Sequence, residues 1–227
     1  MALAALTLTA CGSKKAETVA QEEEPAQKAL VLYYSQAGTT KKVAECIQQK
    51  LGADIELIQV KEAYDGDYQQ TIARVQQEKT DNVLPELVPI QSNLDEYDVI
   101  FLGYPIWFGT YCPAIGALIK DVDLKGKKIV TFASFGSGGI VESTNALKEA
   151  GLNIVASYGV RTSQADMIEA GVSRLLIENG FMEGEVEALA DYTELQPCTE
   201  EEIAIFNEAI STYDMLKGTV AKTVGGR

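Results

Sequence analysis

Short apolar runs alternate with longer amphipathic segments between residues 28 and 180. Runs rich in apolar residues predict buried strands: ALVLYYS (29–35), DIELIQV (54–60), YDVIFLGYP (97–105), KKIVTFAS (127–134) and NIVASYGV (153–160). The segments between and after them predict helices: TTKKVAECIQQKLG (39–52), DYQQTIARVQQEKTDN (67–82), PAIGALIKDV (113–122), VESTNALKEAG (141–151) and DMIEAGVSRLLIENG (166–180). In the first helix Val43, Ala44, Ile47 and Leu51 share one face, and Gly52 is a stop signal. The helix over 67–82 is polar and weakly amphipathic, which indicates a surface position.

Apolar strands that alternate with helices are typical of a parallel sheet covered on both faces. The sequence therefore predicts an α/β fold, a doubly wound five-stranded parallel sheet with helices on both faces. Ligands of such sheets bind beyond the carboxyl ends of the strands, where the winding reverses. The loops of interest are therefore SQAGTT (35–40), YPIWFGTY (104–111) and SFGSGG (134–139).

Charge and composition argue against several classes of function for this chain. The 227 residues include 19 Lys and Arg against 33 Asp and Glu, a formal net charge of −14, and no histidine. The acidic balance argues against a nucleic-acid partner, because phosphate contacts need clustered Lys and Arg. The absence of histidine excludes Ser-His-Asp and Cys-His catalysis and disfavours a zinc site.

The turn SQAGTT has the chemistry of a neutral anion site. It lacks the spacing of a Walker loop and of a dinucleotide fingerprint, and it has a single glycine. A helix N-terminus with the hydroxyls of Ser35, Thr39 and Thr40, and with Gly38 for close approach of the backbone, would suit a phosphate. Ordinary capping of the helix is the alternative.

The other two loops favour a ligand with a planar head. Tyr104, Trp107, Phe108 and Tyr111 fall within eight residues, and flat rings suit a flat ligand. In SFGSGG the three glycines allow backbone groups to approach a ring edge closely. A phosphate site, an aromatic wall and a glycine-rich rim at one sheet edge describe a mononucleotide.

The motifs YYSQAGTTK (33–41) and GYPIWFG (103–109) resemble those of flavodoxins, in particular short flavodoxin-like proteins, and the resemblance covers residues 28–185. It implies FMN as cofactor. The phosphate would be held by Ser35, Gln36, Ala37, Gly38, Thr39 and Thr40; one side of the isoalloxazine by Pro105, Ile106, Trp107, Phe108 and Gly109; and its other edge by Ser134, Phe135, Gly136, Ser137 and Gly138.

Two positions depart from the family pattern. Ala37 stands where threonine is common, which removes one hydroxyl from the phosphate site, and ASFGSGG rearranges the usual TSGGSG. Three functions stay open: an electron carrier that serves a redox partner protein, an NAD(P)H-dependent oxidoreductase with a quinone-like acceptor, and a flavin-free binding module.

Both ends of the chain lie outside the resemblance. LTAC (8–11) resembles the lipobox of bacterial lipoproteins, which implies a signal segment over 1–11, lipidation of Cys11 and anchoring on the non-cytoplasmic side of the cell envelope. No Lys or Arg precedes the apolar run, and a chance cysteine is the alternative. Residues 12–27 have the composition of a flexible tether.

Residues 186–227 predict a helical extension. Thr199 and Glu202 form a capping box, and Ile203, Phe206, Ile210 and Tyr213 share a face of the helix that follows. The chain stops at GGR (225–227), which leaves open whether this extension is truncated.

The cysteines after Cys11 do not form a disulfide framework, since Cys46, Cys112 and Cys198 are odd in number and have no CxxC spacing. Cys46 falls on the apolar side of the first helix and is predicted to pack in the core. Cys112 precedes Pro113 at a helix N-terminus, a position that lowers a thiol pKa. Either a redox role beside the flavin or a small residue at the helix cap would account for it.

Overall fold

The computed structural model describes residues 27–64 and 68–186. Within these residues the strands are β1 (Ala29–Tyr33), β2 (Asp54–Leu57), β3 (Val99–Trp107), β4 (Thr110–Tyr111), β5 (Lys128–Phe135) and β6 (Ile154–Arg161). The helices are α1 (Thr39–Leu51), α2 (Tyr68–Asp81), α3 (Pro113–Asp121), α4 (Val141–Glu149) and α5 (Ile168–Glu178). Short 3-10 helices span Leu94–Glu96 and Thr162–Met167.

The sheet has the strand order β2-β1-β3-β5-β6, and neighbouring strands along this path are parallel. This is the order of flavodoxin-type doubly wound sheets, and the predicted fold class is confirmed. The two-residue strand β4 pairs antiparallel with the end of β3. The winding reverses between β1 and β3, so the crevice for a ligand lies beyond the carboxyl ends of these strands.

Each central strand is apolar on both faces because each face is covered by helices. In β3, Ile100 and Leu102 pack in the core layer that also contains residues of α3 and α4. Val99 and Phe101, which alternate with them, pack in the opposite layer with residues of α1 and α5. This two-sided burial is the reason that the strands read as continuous apolar runs.

The predicted apolar face of α1 is confirmed. Val43, Ala44 and Ile47 are fully buried, and Leu51 packs at the margin of the same core layer. The helix ends at Gly52, whose left-handed φ of 62° favours glycine. Cys46 lies on this helix, half-buried against the core as predicted.

Several predicted boundaries differ from those in the structure. The strand over 54–60 ends at Leu57, and Val60 makes only an isolated antiparallel bridge to Leu87. Strand β3 continues past Pro105 to Trp107, because β4 supplies a hairpin partner for its last residues. Helix α5 begins at Ile168, since the residues before it form a 3-10 helix.

The signal segment with Cys11, the tether up to residue 26, Cys198 and the helix predicted after Thr199 lie outside the described residues. Among the described residues, no helix combines the length and the apolar character needed to cross a bilayer.

Candidate functional site

A cavity of about 510 Å³ opens at the carboxyl edge of the sheet, within the range of about 300–1,000 Å³ usual for small-molecule sites. The three loops singled out from the sequence meet around it. Its lining residues are Ser35, Gln36, Ala37, Thr39, Thr40, Thr71, Ile72, Val75, Pro105, Ile106, Trp107, Phe108, Gly109, Ser134, Phe135, Gly136, Ser137 and Thr162.

The turn before α1 combines a left-handed glycine with hydroxyl side chains. Gly38 has φ of 90°, a conformation that a residue with a side chain rarely adopts, and α1 starts directly after it. Gly38, the N-cap residue, has no side chain that could cap the helix. The amide of Lys41 donates to Ser35 Oγ at 3.2 Å, which closes the turn, while Thr39 and Thr40 are buried at the cavity wall. The start of the helix is therefore available to an anion in the cavity.

Gln36 ties this turn to the start of α2. Its Nε2 donates to the carbonyl of Tyr64 at 2.6 Å and to Thr71 Oγ1 at 3.0 Å. The side chain of Thr71 is buried, and Val75 is buried one helical turn further on. Helix α2, expected to be a surface helix only, therefore turns one face toward the cavity.

Trp107 stands in a cluster of three aromatic rings. Its ring meets Tyr64 edge to face at 5.2 Å and Tyr34 at 6.0 Å. Tyr64 is itself held, because its hydroxyl donates to Glu78 Oε2 at 2.6 Å and the guanidinium of Arg74 lies 4.1 Å from its ring centroid. Burial, followed by the hydrogen bond to Glu78, raises the pKa of Tyr64 far above its usual range. The indole is thus fixed by its neighbours before any ligand binds.

Phe108 extends the aromatic wall in a strained conformation. Its φ is 51°, unusual for a residue with a bulky side chain, and 49% of its surface is exposed. Gly109 follows with φ of 80°, so the two residues form the tight connection between β3 and β4. The strain places a large apolar ring at the mouth of the cavity.

Two aromatic residues predicted for this wall are not part of it. Tyr104 is fully buried beneath α4, where its hydroxyl lies 3.2 Å from Ser143 Oγ. The β3–β4 hairpin turns Tyr111 back toward Tyr104, with ring centroids 6.5 Å apart. Both belong to the core layer around α3 and α4, and Tyr104 lies in the buried part of β3, before the strand reaches the cavity at Pro105.

The glycine-rich loop after β5 forms the remaining wall. Arg161 Nη1 donates to the carbonyl of Gly136 at 3.3 Å, and Thr162 Oγ1 donates to the carbonyl of Phe135 at 3.3 Å. The guanidinium of Arg161 also lies 5.8 Å from the centroid of the Phe135 ring. The end of β6 thereby holds the loop in place.

The structure brings the predicted residues together with two exceptions. Gly38 and Gly138 do not line the cavity; each has a positive φ and shapes the turn beside it. The sequence reasoning missed Thr71, Ile72, Val75 and Thr162. The spacing of Thr71 and Val75 on one face of α2 was an available signal for two of them. No sequence pattern pointed to Thr162, because it follows β6 and the loop after that strand was not predicted to contact a ligand.

Cys112 is fully buried at the N-cap of α3 and is not among the lining residues. Burial raises the pKa of its thiol to about 12, and hydrogen bonds from nearby backbone amides only partly oppose this. The expectation of a lowered thiol pKa is therefore wrong, because the loss of hydration outweighs the helix N-terminus. The position fits a small residue at a helix cap.

Comparison with known proteins gives the family. The model of the flavodoxin family matches residues 28–173, which is more than half of the chain. The chain belongs to the flavodoxin family. No curated protein matches it.

Solved structures agree with this flavodoxin assignment. A crystallised protein of Bacteroides eggerthii, to which a flavoprotein role has been ascribed, is 30% identical; the match has a TM-score of 0.56 and covers 66% of this chain and 98% of that one. A flavoprotein of Lactobacillus acidophilus, crystallised in complex with FMN, is 26% identical; that match has a TM-score of 0.55 and covers 62% of this chain and 97% of the other.

Proposed function

We propose that this flavodoxin-family protein binds FMN in the cavity and transfers electrons through it, lipid-anchored on the non-cytoplasmic side of a bacterial membrane. The observation that carries the flavin part is the meeting of the hydroxyl-rich start of α1, the wall around Trp107 and the loop after β5 at one cavity. The relative from Lactobacillus acidophilus, crystallised with FMN, supports the choice of cofactor.

The chemistry around α1 fits a phosphate group. Among the described residues that line the cavity there is no Lys or Arg, so the phosphate would be held by neutral hydroxyls and by the helix start. The Oγ1 of Thr40 and the Oγ of Ser134 share one hydrogen bond in which either atom can donate. If Ser134 donates, the Thr40 proton is left for a phosphate oxygen. Ala37 supplies no hydroxyl, so the site is weakened by one donor rather than lost.

The opposite side of the cavity fits a flat ring system. Trp107 and Phe108 provide aromatic surface, and Pro105 and Ile106 provide apolar surface beside it. Bound FMN would supply the electron-transfer chemistry of the protein. The role of the chain is to orient the ring, to exclude water from its buried side and to set the electrostatic environment.

An electron carrier and an NAD(P)H-dependent quinone reductase would use the same cavity. The exposed ring of Phe108 at the cavity mouth is compatible with access for a small acceptor. Turnover of NAD(P)H with a quinone by the purified, FMN-loaded protein separates the two roles. Steady oxidation of NAD(P)H would establish the reductase, and its absence together with reversible reduction by a partner protein would establish the carrier.

The proposals on location and partner rest on sequence and charge. The lipobox-like LTAC supports lipid attachment at Cys11, which a Cys11→Ser variant tests through loss of the protein from the membrane fraction. The net charge of −14 favours a basic redox partner, whose association would weaken as salt concentration rises.

The deciding experiment is an absorption spectrum of the purified protein after addition of FMN and desalting. A retained yellow colour, with bands shifted from those of free FMN and quenched flavin fluorescence, is expected. Thr39→Val removes a hydroxyl from the cavity and should weaken retention, whereas Thr80→Val removes an exposed hydroxyl from the far end of α2 and should not. A protein that releases all added FMN would contradict the proposal and favour a flavin-free binding module.

A further inference from the structure

A second cavity lies outside the predicted FMN site, between the end of α2 and helix α3. Its volume is about 740 Å³. It shares Val75, Trp107 and Phe108 with the first cavity, so the two are neighbours on either side of these residues. None of its other lining residues belongs to the hydroxyl-bearing turn before α1 or to the loop after β5.

Large apolar side chains are exposed along this groove. Val83 is 52% exposed, Leu84 43% and Phe108 49%, and all three line it. An accumulation of exposed apolar surface in one concave region marks a binding site more often than scattered exposure does. Gly116 on α3 forms part of the floor, where a Cβ would meet Leu84 Cδ2 at 3.1 Å. The helix thus leaves room for Leu84 to lie flat against it.

The charged side chains of the groove that have no ion-pair partner among the described residues are positive, although the chain as a whole has a net charge of −14. Lys79 and Lys120 line it, and neither makes an ion pair with any residue in the described part of the chain. Lys79 Nζ lies 5.5 Å from the centroid of the Phe108 ring. Glu78 is the single acidic residue in the described part of the lining, and it is already engaged by Arg74 Nε at 2.9 Å and by the Tyr64 hydroxyl.

We propose that this groove is a second small-molecule site, which binds a flat apolar molecule carrying an anionic group. The rings of Trp107 and Phe108 would contact the flat portion, and Lys79 and Lys120 would pair with the anion. The volume is within the range for small ligands, about 300–1,000 Å³. Because the site uses neither the α1 turn nor the loop after β5, its ligand does not require bound FMN in order to bind.

The test is equilibrium dialysis of the full 227-residue chain with anthraquinone-2-sulfonate. The uncharged comparator is 2-(hydroxymethyl)anthraquinone, which has the same rings. Saturable binding of the sulfonate is expected, and it should quench the fluorescence of Trp107, the only tryptophan. The double variant Lys79→Gln/Lys120→Gln should bind the sulfonate about threefold to tenfold more weakly, the size expected from two exposed ion pairs. It should bind the comparator unchanged.

Matched variants locate the site. Lys125→Gln/Lys128→Gln removes two exposed lysines elsewhere and should bind the sulfonate as the wild type does. Leu84→Glu places a carboxylate in the groove and should abolish binding; Leu84 is 43% exposed, so the fold can accept the change. Addition of FMN to protein shown to bind it should leave the sulfonate bound. If FMN does not bind, Leu84→Glu and Lys79→Gln/Lys120→Gln still distinguish the two cavities, because these residues line only the second one.

Four outcomes would overturn the proposal. Displacement of the sulfonate by FMN would place it in the first cavity, and equal binding by the Lys79→Gln/Lys120→Gln variant would remove the role of the lysines. Conversion of a wild-type dimer into a monomer by Leu84→Glu, seen by light scattering, would assign the groove to a second copy of the chain. The absence of saturable sulfonate binding would show that the groove is not a small-molecule site of this kind. A macromolecular partner would then be the candidate occupant of the groove.

Discussion

Thr40 Oγ1 and Ser134 Oγ lie 2.8 Å apart in a buried hydrogen bond that joins residues 94 positions apart in the sequence. Thr40 is in the first turn of α1, and Ser134 is near the end of β5. The bond therefore connects the turn proposed to hold phosphate with the loop proposed to hold the ring edge. Two parts of the cavity that the chain supplies separately are kept in register by one pair of hydroxyls.

Removal of either hydroxyl should destabilise the fold. Thr40→Val preserves the shape of the side chain but leaves Ser134 Oγ without its partner, and Ser134→Ala does the converse. Each change should lower the free energy of unfolding by about 1–3 kcal/mol, since a buried polar group loses its hydrogen bond. Urea denaturation of the two single variants and the double variant measures this.

The double variant shows whether the two hydroxyls act as a pair. Its loss of stability should be smaller than the sum of the single losses, because the second change removes the group that the first left unpaired. Strictly additive losses would show that the bond contributes nothing. Thr80→Val, which removes an exposed hydroxyl, is the control for a threonine-to-valine change and should have little effect.

Ala37 is the position at which a single substitution should improve FMN binding. It is exposed and lines the cavity beside the start of α1. Ala37→Thr adds a hydroxyl donor, and one neutral hydrogen bond should tighten FMN binding by about threefold to tenfold. Quenching of FMN fluorescence on titration measures the affinity. Ala37→Val has the same shape without the hydroxyl and should not tighten binding; an equal gain for both variants would attribute the effect to packing.

The fold could be predicted from the sequence because its central strands are apolar on both faces. Ile100 and Leu102 face one helical layer while Val99 and Phe101 face the other, so no polar residue interrupts the run. A strand has such a pattern when both faces of its sheet are covered. The places of the three loops at one edge then followed from the parallel order of the strands.

The arrangement of side chains within the site was less predictable. Tyr104 and Trp107 are three residues apart in one loop motif, yet the first is core and the second lines the cavity, because β3 continues and then turns into β4. The contact of Trp107 with Tyr64 joins segments 43 residues apart in the sequence, and hydrophobic periodicity carries no information on such pairs. Tertiary contacts of this kind appear only in the structure.

Cys112 should make the stability of the protein depend on pH in the alkaline range. Its ordinary pKa is 9.0, and burial raises it to about 12 in the folded chain. Below pH 9 the thiol is protonated in both states, so its contribution to stability is fully present. Between pH 9 and 12 only the unfolded chain releases the proton, and stability falls by up to about 1.4 kcal/mol per pH unit for this group.

A comparison with Cys112→Ala isolates that contribution from those of the tyrosines. Urea midpoints of both proteins are measured at about pH 8 and about pH 10.5, on either side of the ordinary thiol pKa. Between these two pH values the wild type should lose more of its free energy of unfolding than the variant does. The comparison holds even if the missing sulfur atom makes the variant less stable at both pH values. Equal losses would show that the thiol ionises in the folded protein. Native Cys112 should also react slowly with thiol reagents at about pH 8, since the thiolate is the nucleophile.

The electrostatics of the cavity should make bound FMN harder to reduce fully than free FMN. Within residues 27–64 and 68–186 no Lys or Arg lines the cavity, and the chain carries a net charge of −14, so an added negative charge on the flavin is disfavoured. Spectroelectrochemical titration gives the potential. A potential for addition of the second electron that is at or above the value for free FMN would contradict this expectation.

Arg161 is the cation that should oppose the effect, because its guanidinium binds the carbonyl of Gly136, a lining residue. Arg161→Gln should therefore lower the potential further. Lys128→Gln removes the same charge from the first residue of β5, at the opposite edge of the sheet, and should shift the potential less. Added salt should shrink the shift caused by Arg161→Gln, since Arg161 is exposed and its field is screened. Equal shifts for the two variants would assign the effect to net charge rather than to the position of Arg161.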